Sequence, residues 1–264
     1  MNPIRLRASS LKELMDCPAR WEAKNIKGLR TPSGPNAVLG KAVHASTAVF
    51  DQSRMDGAGL TPDDAAGALV DEVYKPKEDV VWDDSSPKEV ENIGLALHSL
   101  YCTTVSPNFE YAGVEILCTG LEITDLGLLL TGTTDRVVFS GVGHGIADVK
   151  TGKNVVGKDR TIKTQGYGLQ IAIYELLAQA AMGVPITEPG TIIGLQAAKT
   201  DRGRRAGVTA VHGTRDILLG DEDHPGVLHH ASRILHGGYF HGNPSSMMCG
   251  PKYCPIHQSC RYRA

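Results

Sequence analysis

No run of apolar residues approaches the length needed to cross a bilayer, and the opening MNPIRLRASS lacks the apolar centre of a secretory leader. The sequence therefore predicts a cytoplasmic protein with no membrane partner. An excess of either charge is also missing. The 27 Lys and Arg stand against 29 Asp and Glu, a formal net charge of −2. That balance gives no global signature of nucleic-acid binding. It still allows a nuclease, which gathers acids at a metal and places its cations elsewhere. There is no Walker-type lysine loop, hence no helicase motor within the chain. Internal repeats and low-complexity tracts are absent too. The apolar fraction of 41% and charged fraction of 21% are those of a globular protein, and 264 residues suit one large domain.

What is present is concentrated between Gly132 and Gly152, GTTDRVVFSGVGHGIADVKTG. It reads as two strands joined by a glycine-rich turn at Gly141 to Gly145. Asp135 lies on the first strand, with Asp148 and Lys150 on the second. Alternation along a strand sends Asp148 and Lys150 to one face and Ala147 and Val149 to the other. Two carboxylates converging across a hairpin make a hard-oxygen site suited to Mg²⁺ or Mn²⁺. A lysine beside them can stabilise charge developing on a phosphate. These are the requirements for cutting a phosphodiester.

The six cysteines divide into two kinds. Cys102 and Cys118 fall inside apolar patterns and read as small core residues. Cys249, Cys254 and Cys260 cluster in CGPKYCPIHQSC, while Cys17 stands alone in DCPAR. In a cytoplasmic chain such a cluster predicts metal binding before disulfides. Cys17 is the natural fourth thiolate, which would pin the two ends of the chain together. Zn²⁺ and a [4Fe–4S] cluster both accept four thiolates, and His257 could replace one of them.

Helices are predicted from the capping box Ser10–Glu13 through about residue 25, over about 37–50, from Thr61-Pro62, and from Ser86-Pro87 through about Leu100. Strands follow at 114–123, 128–139 and 146–151. A helix then spans about 164–182, closed by Gly183. Strands at 191–197 and 208–212 should pair, and a last helix covers about 225–236. The order helix, three strands, helix, strand predicts a small mixed sheet flanked by helices.

That arrangement and its residues resemble the PD-(D/E)XK nuclease superfamily, specifically its RecB-type branch. Asp135 in GTTDRV matches the family's first metal-binding acid, and DVKTG at 148–152 its acid-x-lysine. Gln170 and Tyr174 match a glutamine-x3-tyrosine, and Gly40 with His44 a glycine-x3-histidine. The split cysteines resemble the iron–sulfur members, the AddB-type helicase-nucleases and CRISPR-associated exonucleases. Those relatives usually have two residues in the first gap of the terminal trio, where this chain has four.

The resemblance implies a mixed α/β fold with a restriction-endonuclease-like core and a cysteine-ligated metal subdomain joining the N- and C-terminal segments. It implies a single nuclease domain over residues 1–264, with a core at about 87–212, a helical part at 9–85, and a tail at 241–264 paired with Cys17. His44, Asp135, Asp148 and the carbonyl of Val149 would hold Mg²⁺ or Mn²⁺. Lys150 would neutralise the transition state, and Glu115 would orient water or a ligand. Gln170 and Tyr174 would line the DNA path or brace the site. Cys17, Cys249, Cys254 and Cys260 would hold a structural [4Fe–4S] cluster or zinc. Lys153, Lys158 and Arg160 after the hairpin, and Arg202 and Arg204 at a second hairpin tip, are candidate phosphate contacts. The expected function is a metal-dependent DNA exonuclease acting on single strands or free ends in recombination, repair or phage DNA processing. A separate helicase or recombination protein is an expected partner. A structure-selective endonuclease and an inactive DNA-binding protein are the alternatives.

Overall fold

A computed structural model of the chain describes residues 2–83 and 85–263. The first surprise lies before the predicted elements. Ile4–Arg7 forms strand β1, which pairs in parallel with β3, Leu128–Phe139. The amino-terminal segment is thus tied into the sheet as well as carrying helices. The predicted helix over 10–25 is two helices, α1 Leu11–Asp16 and α2 Pro18–Asn25. Pro18 forces the preceding Cys17 into an extended conformation, φ −149° and ψ 92°, and so ends α1. The capping box at Ser10 does not form. The Ser10 hydroxyl donates to the Arg7 carbonyl and accepts from the Trp21 indole, while Glu13 pairs with Arg20 and Lys24.

Three helices follow: α3 Pro35–Asp56, α4 Pro62–Tyr74 and α5 Pro87–Thr104, each with proline in its first turn. Thr61 caps α4 with a complete capping box to Asp64. The chain then enters β2, Glu110–Ile123, antiparallel to β3, which in turn pairs with β4, His144–Gly152. Helix α6, Gly168–Met182, crosses over to β5, Gly190–Gln196, parallel to β4. As expected, β6, Arg205–Val211, pairs antiparallel with β5. Short α7, Thr214–Leu219, was not predicted; α8, Val227–Gly237, was.

The result is a six-stranded mixed sheet between two helical layers. One core packs α1, α6 and α8 against one face through Leu14, Ile146, Ile171, Leu177 and Leu235. The other packs α3, α4 and α5 against Ala147, Val149, Ile193 and Leu195. Successive residues of β4 therefore serve opposite cores, which leaves Asp148 and Lys150 on the α6 side. No helix among the described residues is long and apolar enough to cross a membrane.

Candidate active site

Helix α3 brings His44 against the β2–β3 pair. His44 Nε2 lies 2.8 Å from Asp135 Oδ2, and its Nδ1 lies 3.5 Å from Glu115 Oε1. Glu115 stands level with Asp135, between the pairs Val114–Arg136 and Ile116–Thr134. It adopts φ +51°, a left-handed conformation uncommon for a side-chain-bearing residue and often found where function dictates the backbone. One donor atom each from His44, Glu115 and Asp135 fall within 4.8 Å of one another. Two carboxylates and an imidazole make a donor set suited to Mn²⁺ or Mg²⁺.

Asp148 stands outside that trio but borders the same groove, a cavity of about 720 Å³ that also takes in Val149, Lys150 and Gln170. It is 1% exposed. Lys150 Nζ lies 2.6 Å from Asp148 Oδ2, yet neither oxygen receives a hydrogen bond of good geometry. Burial, reinforced by the charge of Asp135, pushes the Asp148 carboxyl up to about 7 against the pull of Lys150. Burial also opposes charge on Asp135. There, the His44 hydrogen bond and the positive charges of His44, Lys150 and Arg136 prevail and lower its pKa. His44 is raised in return: Asp135 and Glu115 outweigh its own desolvation. A buried acid with no well-formed hydrogen bond, set beside a second acid, is costly unless a cation joins them, and here the residues fit one.

Lys150 is positioned from α6. Gln170 Oε1 accepts from Lys150 Nζ at 3.0 Å, and Gln170 Nε2 donates to Tyr174 Oη at 2.7 Å. The spacing of four residues stacks Gln170 and Tyr174 on one helix face, as the sequence predicts. The backbone N–H of Val149 donates to Asp135 Oδ2 at 3.1 Å, locking the two strands of the hairpin at the site. Gly40, one turn before His44, lines the groove with nothing within 4 Å of where a Cβ would stand. Its role is an open wall rather than close packing.

Arg136, the residue after Asp135, had no role in the sequence reading. It is fully buried and joins Asp51 at 2.6 Å, Glu115 at 3.2 Å and the carbonyl of Asp135 at 2.7 Å. It thus holds two of the three metal-type donors from behind. The signal was present in Asp-Arg, but the partner Asp51 lies far away in sequence.

The remaining candidates are elsewhere. Lys153, Lys158, Arg160, Arg202 and Arg204 do not line the groove of the acids. Arg204 donates to the carbonyls of Ala198 and Lys199 and pairs with Asp201, so its guanidinium braces its own hairpin. Lys158 and Arg160 are exposed in a loop, and Arg202 is exposed in the 3-10 turn Asp201–Gly203.

The four terminal cysteines come together at the other end of the molecule, where Cys17, Cys249, Cys254 and Cys260 line one small cavity. The N–H of Asn243 points at Cys17 Sγ from 3.4 Å. Burial raises the Cys254 thiol, and Cys17 and Cys260 add to the effect. Arg20 borders the cavity with Nη1 buried and unpartnered. Direct contacts already join the chain ends here, with Ser246 on Asp16 at 2.6 Å and Trp21 stacked on Phe240. Cys102 and Cys118 are buried in the core, away from this group.

A mixed sheet between helical layers, carrying an acid, a second acid and a lysine on adjoining strands, defines a nuclease-type hydrolytic centre. The chain belongs to the PD-(D/E)XK nuclease superfamily, whose family model matches residues 5–261. Among solved structures, it is similar to a Eubacterium rectale protein provisionally named an exonuclease. The TM-score is 0.56 at 13% identity, over 93% of this chain and 86% of that one, a likeness of fold. No curated protein matches the chain.

Proposed function

We propose that this protein is a divalent-metal-dependent DNA nuclease of the RecB-type branch, working as an exonuclease on single strands or free ends. The observation that carries the reading is Asp148, a buried carboxylate with Lys150 as its ion-pair neighbour and no well-formed hydrogen bond, set beside the trio His44, Glu115 and Asp135. His44, Glu115, Asp135 and Asp148 would hold Mg²⁺ or Mn²⁺. When bound, such an ion polarises the phosphate and acidifies an attacking water. Lys150, held by Gln170, is placed to meet charge developing on the phosphoryl oxygens. Tyr174 fixes Gln170, and Arg136 keeps Glu115 and the Asp135 backbone from turning away. The exonuclease assignment rests on the resemblance of the motifs to RecB-type enzymes. A separate helicase or recombination protein would open duplexes for it during recombination, repair or phage DNA processing.

The cysteine cavity is read as a structural [4Fe–4S] site with zinc as the alternative. Its support is chemical. Four thiolates around an iron–sulfur core form an anionic group, and the unpartnered Arg20 Nη1 and the Asn243 N–H supply donors for it. Visible absorption after anaerobic purification is expected, whereas colourless protein with stoichiometric zinc would reverse the choice of metal.

The test of function is digestion of end-labelled single- and double-stranded DNA with Mn²⁺, wild type beside Asp148→Ala. Metal-dependent release of nucleotides by the wild type alone is expected. Cutting of a closed single-stranded circle would replace the exonuclease with an endonuclease. Binding without cleavage under all metals would leave an inactive DNA-binding protein.

A further inference from the structure

Beyond the acid groove, the sheet has an open face that the two helical cores do not cover. Alternate positions along β3 run from Asp135 to Thr133 and then Thr131. On one side, Leu117 of β2 stands level with Thr133. On the other, Arg7 of β1 stands level with Thr131, and Arg5 is one repeat further on. Both arginines are exposed while Leu6 between them is fully buried, so they share the outer face. Among the described residues neither guanidinium has a hydrogen-bond or ion-pair partner. These side chains, with Ser9 and Thr119, line a second groove of about 500 Å³. No carboxylate lines it.

Tyr174 links the two grooves through Gln170. Its ring forms part of the second groove, 3.5 Å from where a Cβ on Gly132 would stand. Its hydroxyl is bound by Gln170, which holds Lys150 in the first. That link to the acid site and the groove's positive charge together point to one occupant.

We propose that this groove carries the sugar-phosphate backbone of the substrate DNA strand, one to two nucleotides beyond the scissile bond. The proposal rests on the nuclease reading above. Two residues of β-strand advance about 7 Å, comparable to one nucleotide step of an extended strand. Thr133 therefore marks the first phosphate position away from Asp135, and Arg7, level with the buried Thr131, the second. Hydroxyls and guanidinium forks are the donors that fix phosphates without reading sequence. From β1 across β3 to β2 the floor is about 10 Å wide. That width matches a single strand, the form of DNA assigned to the site.

The test measures binding of a fluorescent oligothymidylate, without divalent metal, across a salt series. Wild type is compared with Arg5→Ala/Arg7→Ala and Arg5→Lys/Arg7→Lys; the exposed positions tolerate both. Each phosphate contact on a single strand contributes about 0.7 to the slope of log affinity against log salt, so the alanine pair should lower the slope by about 1.4. About tenfold weaker binding and a matching rise in KM for digestion in Mn²⁺ are expected. The lysine pair should restore the slope. An alanine variant with wild-type slope and KM overturns the groove assignment while leaving the nuclease reading intact, as does a lysine pair that behaves like alanine. Failure of the wild type to cut the strand in Mn²⁺ strikes the nuclease reading instead, and a lowered slope in the alanine pair would still support the groove.

Discussion

Two buried carboxylates face opposite fates in this fold. Asp51, on α3 two turns beyond His44, accepts from Tyr101, Arg136 and Ser106, each at 2.6 Å. Asp148, equally buried, has Lys150 as an ion-pair neighbour and no well-formed hydrogen bond. The first is a satisfied structural charge: its partners tie α3 to α5 and β3. The second sits where the fold could have supplied donors and did not. A buried acid left in this state destabilises the protein by itself, and its persistence points to a ligand that completes it. Stability and chemistry are thus separated along one helix, with His44 facing the groove and Asp51 facing the core.

The comparison breaks most sharply at Asp148. Asp148→Asn should lower DNA digestion about a thousandfold, equivalent to ~4 kcal/mol of transition-state stabilisation, measured as single-turnover rate in Mn²⁺. The same substitution should change the stability of the metal-free protein by no more than about 1 kcal/mol, since removing a poorly hydrogen-bonded buried charge offsets the loss of the Lys150 ion pair. Loss of stability in step with activity would make Asp148 a structural acid like Asp51. Asp51→Ala is the mirror experiment. It strands Arg136 without its buried partner, so unfolding stability should drop by about 3–5 kcal/mol, read by denaturant melts.

Metal addition sharpens the contrast through pH. The folded Asp148 pKa, about 7, lies above the ordinary carboxylate value near 4. The fold favours the neutral acid, so this contribution to stability is complete below about pH 4 and is lost as pH rises through about 7. A divalent cation reverses that loss. The stabilisation produced by Mn²⁺, read as a rise in melting temperature, should therefore grow from pH 5 to pH 8, reaching about 2.7 kcal/mol where Mn²⁺ is in hundredfold excess over the Kd at pH 8. In Asp148→Asn the pH dependence of that increment should flatten.

Local patterns made the site legible, and distant partners hid the rest. Asp135, Asp148 and Lys150 share one hairpin, and Gln170 and Tyr174 one helix face, so alternation and helical spacing suffice to group them. The limits of β3 agree with its apolar run for the same reason. Arg136 could not be placed because Asp51 lies 85 residues away. β1 is only four residues long, and its partner β3 begins at Leu128. The cap at Thr61 forms because nothing competes for Asp64, whereas tertiary partners claim Ser10 and Glu13. Arg204 read as a free cation, but carbonyls of its own hairpin occupy it.

The smallest expected effect tests whether the two ends of α3 are independent. Gly40 sits in the helix interior on the groove wall, with open space where a methyl would go. Alanine there should stabilise the protein by about 0.5–1 kcal/mol through helix propensity and a less flexible unfolded chain. Among the described residues no part of the Asp51 network lies within 4 Å of that methyl. If α3 only positions His44, digestion should change less than threefold and the gain should appear in the melt alone. A fall of tenfold or more in DNA digestion with the stability gain intact would mean that substrate presses directly on the helix at this turn. The groove wall would then belong to the binding surface, and the boundary between chemistry and scaffold would lie further along α3, between His44 and Asp51.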